Sequence, residues 1–275
     1  ARVCFQLADL AERRGDAAAL ALDCEGLSAR DAGFARALYR SAVTRWLTIG
    51  HIAGRFSRQP WHQLDPPTTA AIAAGTAQLL LLGGVAPHAA VHETVTWIKS
   101  VQPRSSGIVN AVLRRVAECV KRTTEGEIVQ HETWSLARNE LPLSSGRAVV
   151  LASELLPDAI PHRLEVATGV PRWQVERWAE VSKPDSDGEI QDIQDIMAAA
   201  GMPSMAHSHA RAVNWCLHSL SEAPIVVRVS IPEATPSPQL VPHDEPGHAV
   251  LAEPPASLEA WLDARDGIWV QDASS

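Results

Sequence analysis

One stretch of this chain, Ala70 to Ala86, is apolar enough to raise the question of a membrane span, and it constrains the fold more than any other feature. It barely reaches the minimum length for crossing a bilayer. It also contains Thr76, Gln78 and the glycines Gly75, Gly83 and Gly84, the last two breaking the helix before the stretch ends. Its start is explicit: Asp65-Pro66-Pro67 supplies an N-cap and a proline in the first turn. Gly83-Gly84 supplies a stop. The segment therefore reads as a buried core helix, which other helices must cover. A chain of 275 residues, 46% apolar and 20% charged, can build that core as one large domain or two modest ones.

The rest of the first 122 residues reads as helix after helix. A first helix is expected over about Arg2 to Arg13, and Asp16 can cap a short one through Leu22. Ser28-Ala29-Arg30-Asp31 resembles a capping box. The helix behind it sets Phe34, Leu38, Ala42 and Trp46 four residues apart on one stripe, with Arg36 and Arg40 outside it and Arg45 at its edge. A further helix is expected over Leu47 to Phe56. Pro87 opens a helix through Ile98, and Ser105 or Ser106 opens the last, through about Lys121. On that last helix Ile108, Val112, Val116 and Val120 form the buried stripe, and Arg114, Arg115, Lys121 and Arg122 lie opposite or flanking it.

After residue 122 the pattern changes. Glu140 to Ala152 reads as a β-hairpin about a Ser144-Ser145-Gly146 turn. Pro171 begins a short helix with Trp173, Val175 and Trp178. Ser182 to Gly188 reads as a linker or loop, with helices expected from about Glu189 and Ala206. Ile225 to Val229 and Ile268 to Val270 read as strands, and the proline-rich residues 231–255 as loops with short edge strands. A helix is expected near Ser257 to Asp263.

Charge is uneven along the chain. Residues 1–125 hold 15 Lys and Arg against 10 Asp and Glu, and residues 126–275 hold 9 against 22, giving net charges of +5 and −13 that sum to −8. A basic first half suits an anionic partner such as RNA; it also suits a plain basic helical domain ahead of an acidic, solvated one. Catalytic signatures are missing. His92-Glu93 and His131-Glu132 begin a zinc-protease pattern, but Thr96 and Ser135 stand where a second histidine is needed. His207, His209, Cys216 and His218 could supply zinc ligands, at a spacing that matches no common module. No dinucleotide, phosphate-loop or nucleophile-elbow motif is present. The four cysteines lie far apart, in no context that marks a nucleophile, and suit a reducing, cytoplasmic setting. Trp97 near Lys99 and Trp46 beside Arg45 are candidates for stacking on bases, though core positions suit both better. Residue 1 is Ala, so the natural start is expected to be trimmed, and no signal peptide is expected.

Three blocks, LSARDAGFARALYRSAVTRW, PPTTAAIAAGTAQLLLLGGVAPHAAVHETVTWIK and SGIVNAVLRRV, resemble the helical NusB domain in order and spacing. They are more similar still to the version fused in front of RsmB-type ribosomal RNA cytosine methyltransferases. Val85 to Val91 and Val109 to Arg115 are the most specific parts. Beyond them, ELPLSSGRAVVLASELLP, ATGVPRWQVERW, VVRVS and GIWVQDASS resemble the RsmB connector and the RRM-like piece that follows it.

The resemblance implies a mainly α protein. A NusB-like helical bundle over residues 1–125 would precede a hairpin and helical connector over 126–221 and a partial RRM-like α/β segment over 222–275. It implies the RNA-binding front of a ribosomal RNA (cytosine-C5) methyltransferase. S-adenosylmethionine and the catalytic cysteines would belong to a downstream domain, so no catalytic residue, metal or cofactor is expected in this chain. Arg30, Arg114 and Arg115 fall in the resembling blocks, and Arg2 in a first helix of the kind that contacts RNA in NusB-like domains, as candidates for phosphate contact; Arg36, Arg40, Lys121 and Arg122 join them as basic positions outside the buried stripes. Each has the alternative of a solvated helix face or an internal ion pair. Asn110 and Glu93 are expected to tie helices together. The expected partners are ribosomal RNA and the downstream domain, not DNA or a membrane. A stand-alone NusB-like antitermination module, or a protein-interaction domain of the same fold, remains the alternative.

Overall fold

A computed structural model describes residues 1–12, 22–181, 207–221, 226–229, 240–242, 248–251 and 268–270. The protein is mainly helical and divides into two compact units, Ala1–Ser221 and Glu222–Ser275. The expected elements at Asp16 to Leu22, Ser182 to Gly188, Glu189 and Ser257 to Asp263 lie wholly or mostly outside the described residues.

The first unit opens with α1 (Arg2–Glu12), α2 (Ala29–Thr44), α3 (Trp46–Gly54), α4 (Pro66–Leu80), α5 (Pro87–Val101) and α6 (Ser106–Cys119). The apolar stretch becomes α4, which packs against each of the other five. Every residue from Thr68 to Ala77 is buried. Asp65 caps α4 by accepting the Thr68 amide at 3.0 Å and the Thr68 hydroxyl at 2.7 Å. Close approach at the centre requires Gly75, since a Cβ there would lie 2.5 Å from a Leu113 methyl on α6. Among the described residues no helix is long and apolar enough to cross a membrane.

Ser28 caps α2 by accepting the Asp31 amide, and its hydroxyl donates to the Asp31 carboxylate at 2.7 Å. The acid thus holds the capping hydroxyl rather than the Ser28 amide, a variation on the expected box. Of the expected α2 stripe, Leu38 and Ala42 are buried, but Phe34 is 45% exposed. Trp46 belongs to the next helix, because the backbone breaks at Arg45 (φ −107°, ψ 24°). Arg45, expected at the edge of the stripe, is buried.

The last helix of the bundle ends at Cys119, earlier than expected. Val120 turns to an extended conformation and pairs with Leu151, and the Lys121 amide donates to the Val150 carbonyl at 2.9 Å. Apolar spacing carried the helical reading about two residues too far: Val120 stays buried, but in an extended segment that bridges to Leu151. Lys121 and Arg122 therefore do not share a helical face with Arg114 and Arg115.

The hairpin forms as expected, with β2 (Glu140–Pro142) and β3 (Ala148–Val150) joined through Gly146 at φ +83°. An additional strand, β1 (Gln130–His131), makes the sheet order β1-β3-β2, all antiparallel. Leu141, Val149, Leu151 and Leu155 complete the core of the helical bundle. A second apolar cluster, including Trp134, Leu164, Val175 and Cys216, is built with α7 (Ile160–Thr168), α8 (Arg172–Val181) and α9 (His207–His218). Here α7 is the unanticipated helix.

The second unit contains β4 (Val226–Val229), β5 (Leu240–Pro242), β6 (His248–Leu251) and β7 (Ile268–Val270). They form one antiparallel sheet in the order β5-β6-β4-β7. Pro242 lies in β5, an edge strand, where a missing amide is tolerated.

Candidate nucleic-acid interface

Helices α5 and α6 are joined by a short turn at Pro103–Ser105 and pack as a helical hairpin. Their outer faces leave a groove of about 790 Å³. His88, His92 and Lys99 line it from α5, and Ser106, Asn110 and Arg114 from α6, with Glu118 at one end. Pro87 sets the start of α5, and burial of Val91 and Ile98 fixes its rotation. On α6, burial of Val109, Val112, Leu113 and Val116 turns Asn110 and Arg114 outward. The Arg114 Nε donates to the Asn110 Oδ1 at 3.2 Å, which steadies the guanidinium along the helix. Asn110, expected to bridge helices, thus organises its own, and Glu93 is exposed.

Arg115 is exposed and sits 3.5 Å from Glu118, leaving the groove to Arg114. A surface pair of this kind contributes about 0–1 kcal/mol. Lys121 is exposed on the extended segment after α6. Arg122 is half-buried; its Nη1 donates to the Gly126 carbonyl at 2.9 Å, and its Nε and Nη2 are buried with no partner among the described residues. Its guanidinium is turned into the protein.

The remaining predicted residues lie elsewhere. Arg30, Arg36 and Arg40 are exposed along α2, which packs on α1, α3 and α4, whereas α6 packs on α3, α4 and α5. The Arg2 Nη1 donates to the Glu25 carbonyl at 2.6 Å. Arg2 also lines a separate groove beside Asp31, Phe34, Glu93 and Trp97. The structure thus gathers Arg114 with Lys99, His88 and His92, and leaves the α2 arginines and Arg2 apart. Sequence reading missed this grouping, although 88, 92, 95 and 99 recur at helical spacing and mark one face of α5.

Trp97 is 8% exposed in the core, and Trp46 is half-buried with its ring centroid 5.6 Å from that of Trp61. Both are packing residues rather than open stacking platforms. Of the candidate zinc ligands, Cys216 is wholly buried in the second apolar cluster, and burial pushes its thiol up to about 12. The His207 and His209 side chains lie outside the described residues. Burial also raises Cys4, to about 11, and Cys119.

Residues 1–118 match the NusB family, so the helical bundle is a NusB family domain. No curated protein matches this chain.

Proposed function

With a NusB family domain as its first 118 residues, we propose that this chain binds RNA through the α5–α6 groove, as the front region of an RsmB-type ribosomal RNA (cytosine-C5) methyltransferase. NusB domains bind RNA, and the groove supplies the charge that a phosphate backbone needs. One observation carries the reading: the two blocks of most specific resemblance, Val85 to Val91 and Val109 to Arg115, form the start of α5 and the middle of α6, and contribute Pro87, His88 and Val91 to one wall of this groove and Asn110 and Arg114 to the other. Lys99 and Arg114 would contact phosphates, which positions an RNA without reading its sequence. His88 and His92 offer planar faces for unpaired bases.

The rest of the chain supports the fused context over a stand-alone antitermination module. The hairpin and α7 pack into the same compact unit as the bundle, as a connector would if it had to hold a further domain in place. In this reading that further domain binds S-adenosylmethionine and carries the nucleophilic cysteine. The present chain presents the RNA.

Two experiments test the two levels. Replacing Arg114 and Arg115 together by Ala is expected to weaken binding of a ribosomal RNA fragment by about tenfold, roughly 1.4 kcal/mol, with an unchanged unfolding transition. Unchanged affinity moves the site off this groove. The coding sequence after Ser275 is expected to continue into a Gly-rich strand and loop, then Pro-Cys and Thr-Cys-Ser blocks. A stop codon there removes the methyltransferase assignment and leaves the RNA reading standing.

A further inference from the structure

Arg45 is the one charged residue at the break between α2 and α3, and it is 4% exposed. All three of its nitrogen groups are used. Nη1 donates to the Pro142 carbonyl at 2.9 Å, Nη2 to the Ala167 carbonyl at 2.6 Å, and Nε to the Thr48 hydroxyl at 3.2 Å. Pro142 closes β2 and Ala167 lies in the last turn of α7, so both carbonyls come from beyond the family match at residue 118. A buried cation is tolerated only when its donors are satisfied. Here the C-terminal carbonyl of α7 also brings the negative end of a helix dipole to the guanidinium. Burial lowers the Arg45 pKa to about 9, and it stays charged at neutral pH.

Other contacts close the same seam. The Arg55 Nη1 donates to the Leu155 carbonyl at 2.6 Å, and the His51 Nε2 to the same oxygen at 3.0 Å. Gly169, at φ +82°, lies so close to α2 that a Cβ would run into the Thr44 carbonyl. Thus α3 and the residues that flank it, Arg45 and Arg55, present three basic side chains to three main-chain carbonyls of the connector, with apolar packing from Leu141 and Leu155 beside them.

We propose that the folding unit of this protein extends past the family boundary, and that Arg45 is the positioning residue that locks β2 and α7 onto the helical domain. The bundle and the connector then open together. The RNA-binding face has a fixed orientation relative to α7, whether or not RNA is its ligand.

Hydrogen exchange on the full chain tests this. In the unmodified protein, peptides from α4, β2 and α7 are expected to share one slow opening. In Arg45→Met, peptides from β2 and α7 are expected to lose protection at least tenfold, with a smaller loss in α4. Arg45→Lys, which keeps the charge but cannot bridge both carbonyls, should fall between. Unchanged protection of β2 and α7 in Arg45→Met overturns the proposal. So does an unmodified protein whose connector already opens far faster than α4. If Arg45→Met does not fold, Arg55→Met reads the rim of the same seam. Faster exchange over 151–168 is expected, and no change there contradicts the lock.

Discussion

Arg114 and Arg115 adjoin in sequence but have different surroundings. Arg114 is steadied by Asn110 and lines the groove, while Arg115 is drawn toward Glu118. Single replacements by Ala should therefore separate. R114A is expected to account for most of the RNA affinity lost in the double variant, and R115A to change affinity less than twofold. Equal losses would show that RNA lies over the crest of α6 rather than in the groove. His51 gives a second prediction. Burial lowers its pKa most; Arg55 and His162 lower it further, and the Leu155 carbonyl and Glu165 oppose them. The folded protein then resists a proton that the unfolded chain accepts, so stability is full above about pH 6.5 and falls as pH drops below it. Urea unfolding at pH 7.5 and 5.5 should show that fall, with H51Q reducing it. An identical pH dependence in H51Q would exclude His51 as a source. These residues also mark the limits of sequence reading. Ser28 and Asp65 were legible as caps because capping is local chemistry. Arg45 was not, because a basic residue at a helix edge normally faces water, and the carbonyls that hold it lie about a hundred residues or more away in sequence.

Among the elements, α4 was the most legible and is the least tolerant of change. Its burial on all sides leaves no face on which extra volume can be placed. G75A should cost about 1–3 kcal/mol through overpacking against Leu113, read as a lower urea midpoint with an unchanged slope. In the L113A background the same substitution should cost less, because the methyl groups it meets are gone. Additive losses would mean that Gly75 matters for another reason. Periodicity located the long helices, and the short α3 and α8 with them, but missed α7. The nine residues of α7, opening at Ile160-Pro161, give too few turns to establish a stripe. At the end of α6 the apolar spacing continued through Val120 although the backbone did not, since burial in a sheet and burial in a helix leave the same mark at one position. The α5–α6 groove was half legible. Arg114 stood out in its block, but Lys99, His88 and His92 needed the hairpin to bring the second wall opposite it.

At the scale of the whole molecule, the chain pairs a basic front with an acidic remainder, at +5 and −13. The structure gathers the groove-lining cations Lys99 and Arg114 on one helical hairpin of the NusB domain, while the α2 arginines lie on a helix that packs on α1 rather than on α5. Equilibrium binding of a ribosomal RNA fragment across a salt series, for the unmodified chain and for K99A/R114A, decides whether the groove holds phosphates. Log affinity is expected to fall linearly with log salt, and removing two groove cations is expected to reduce the slope by about two, roughly one for each phosphate contact. No binding at low salt, or equal slopes for the two proteins, would contradict it.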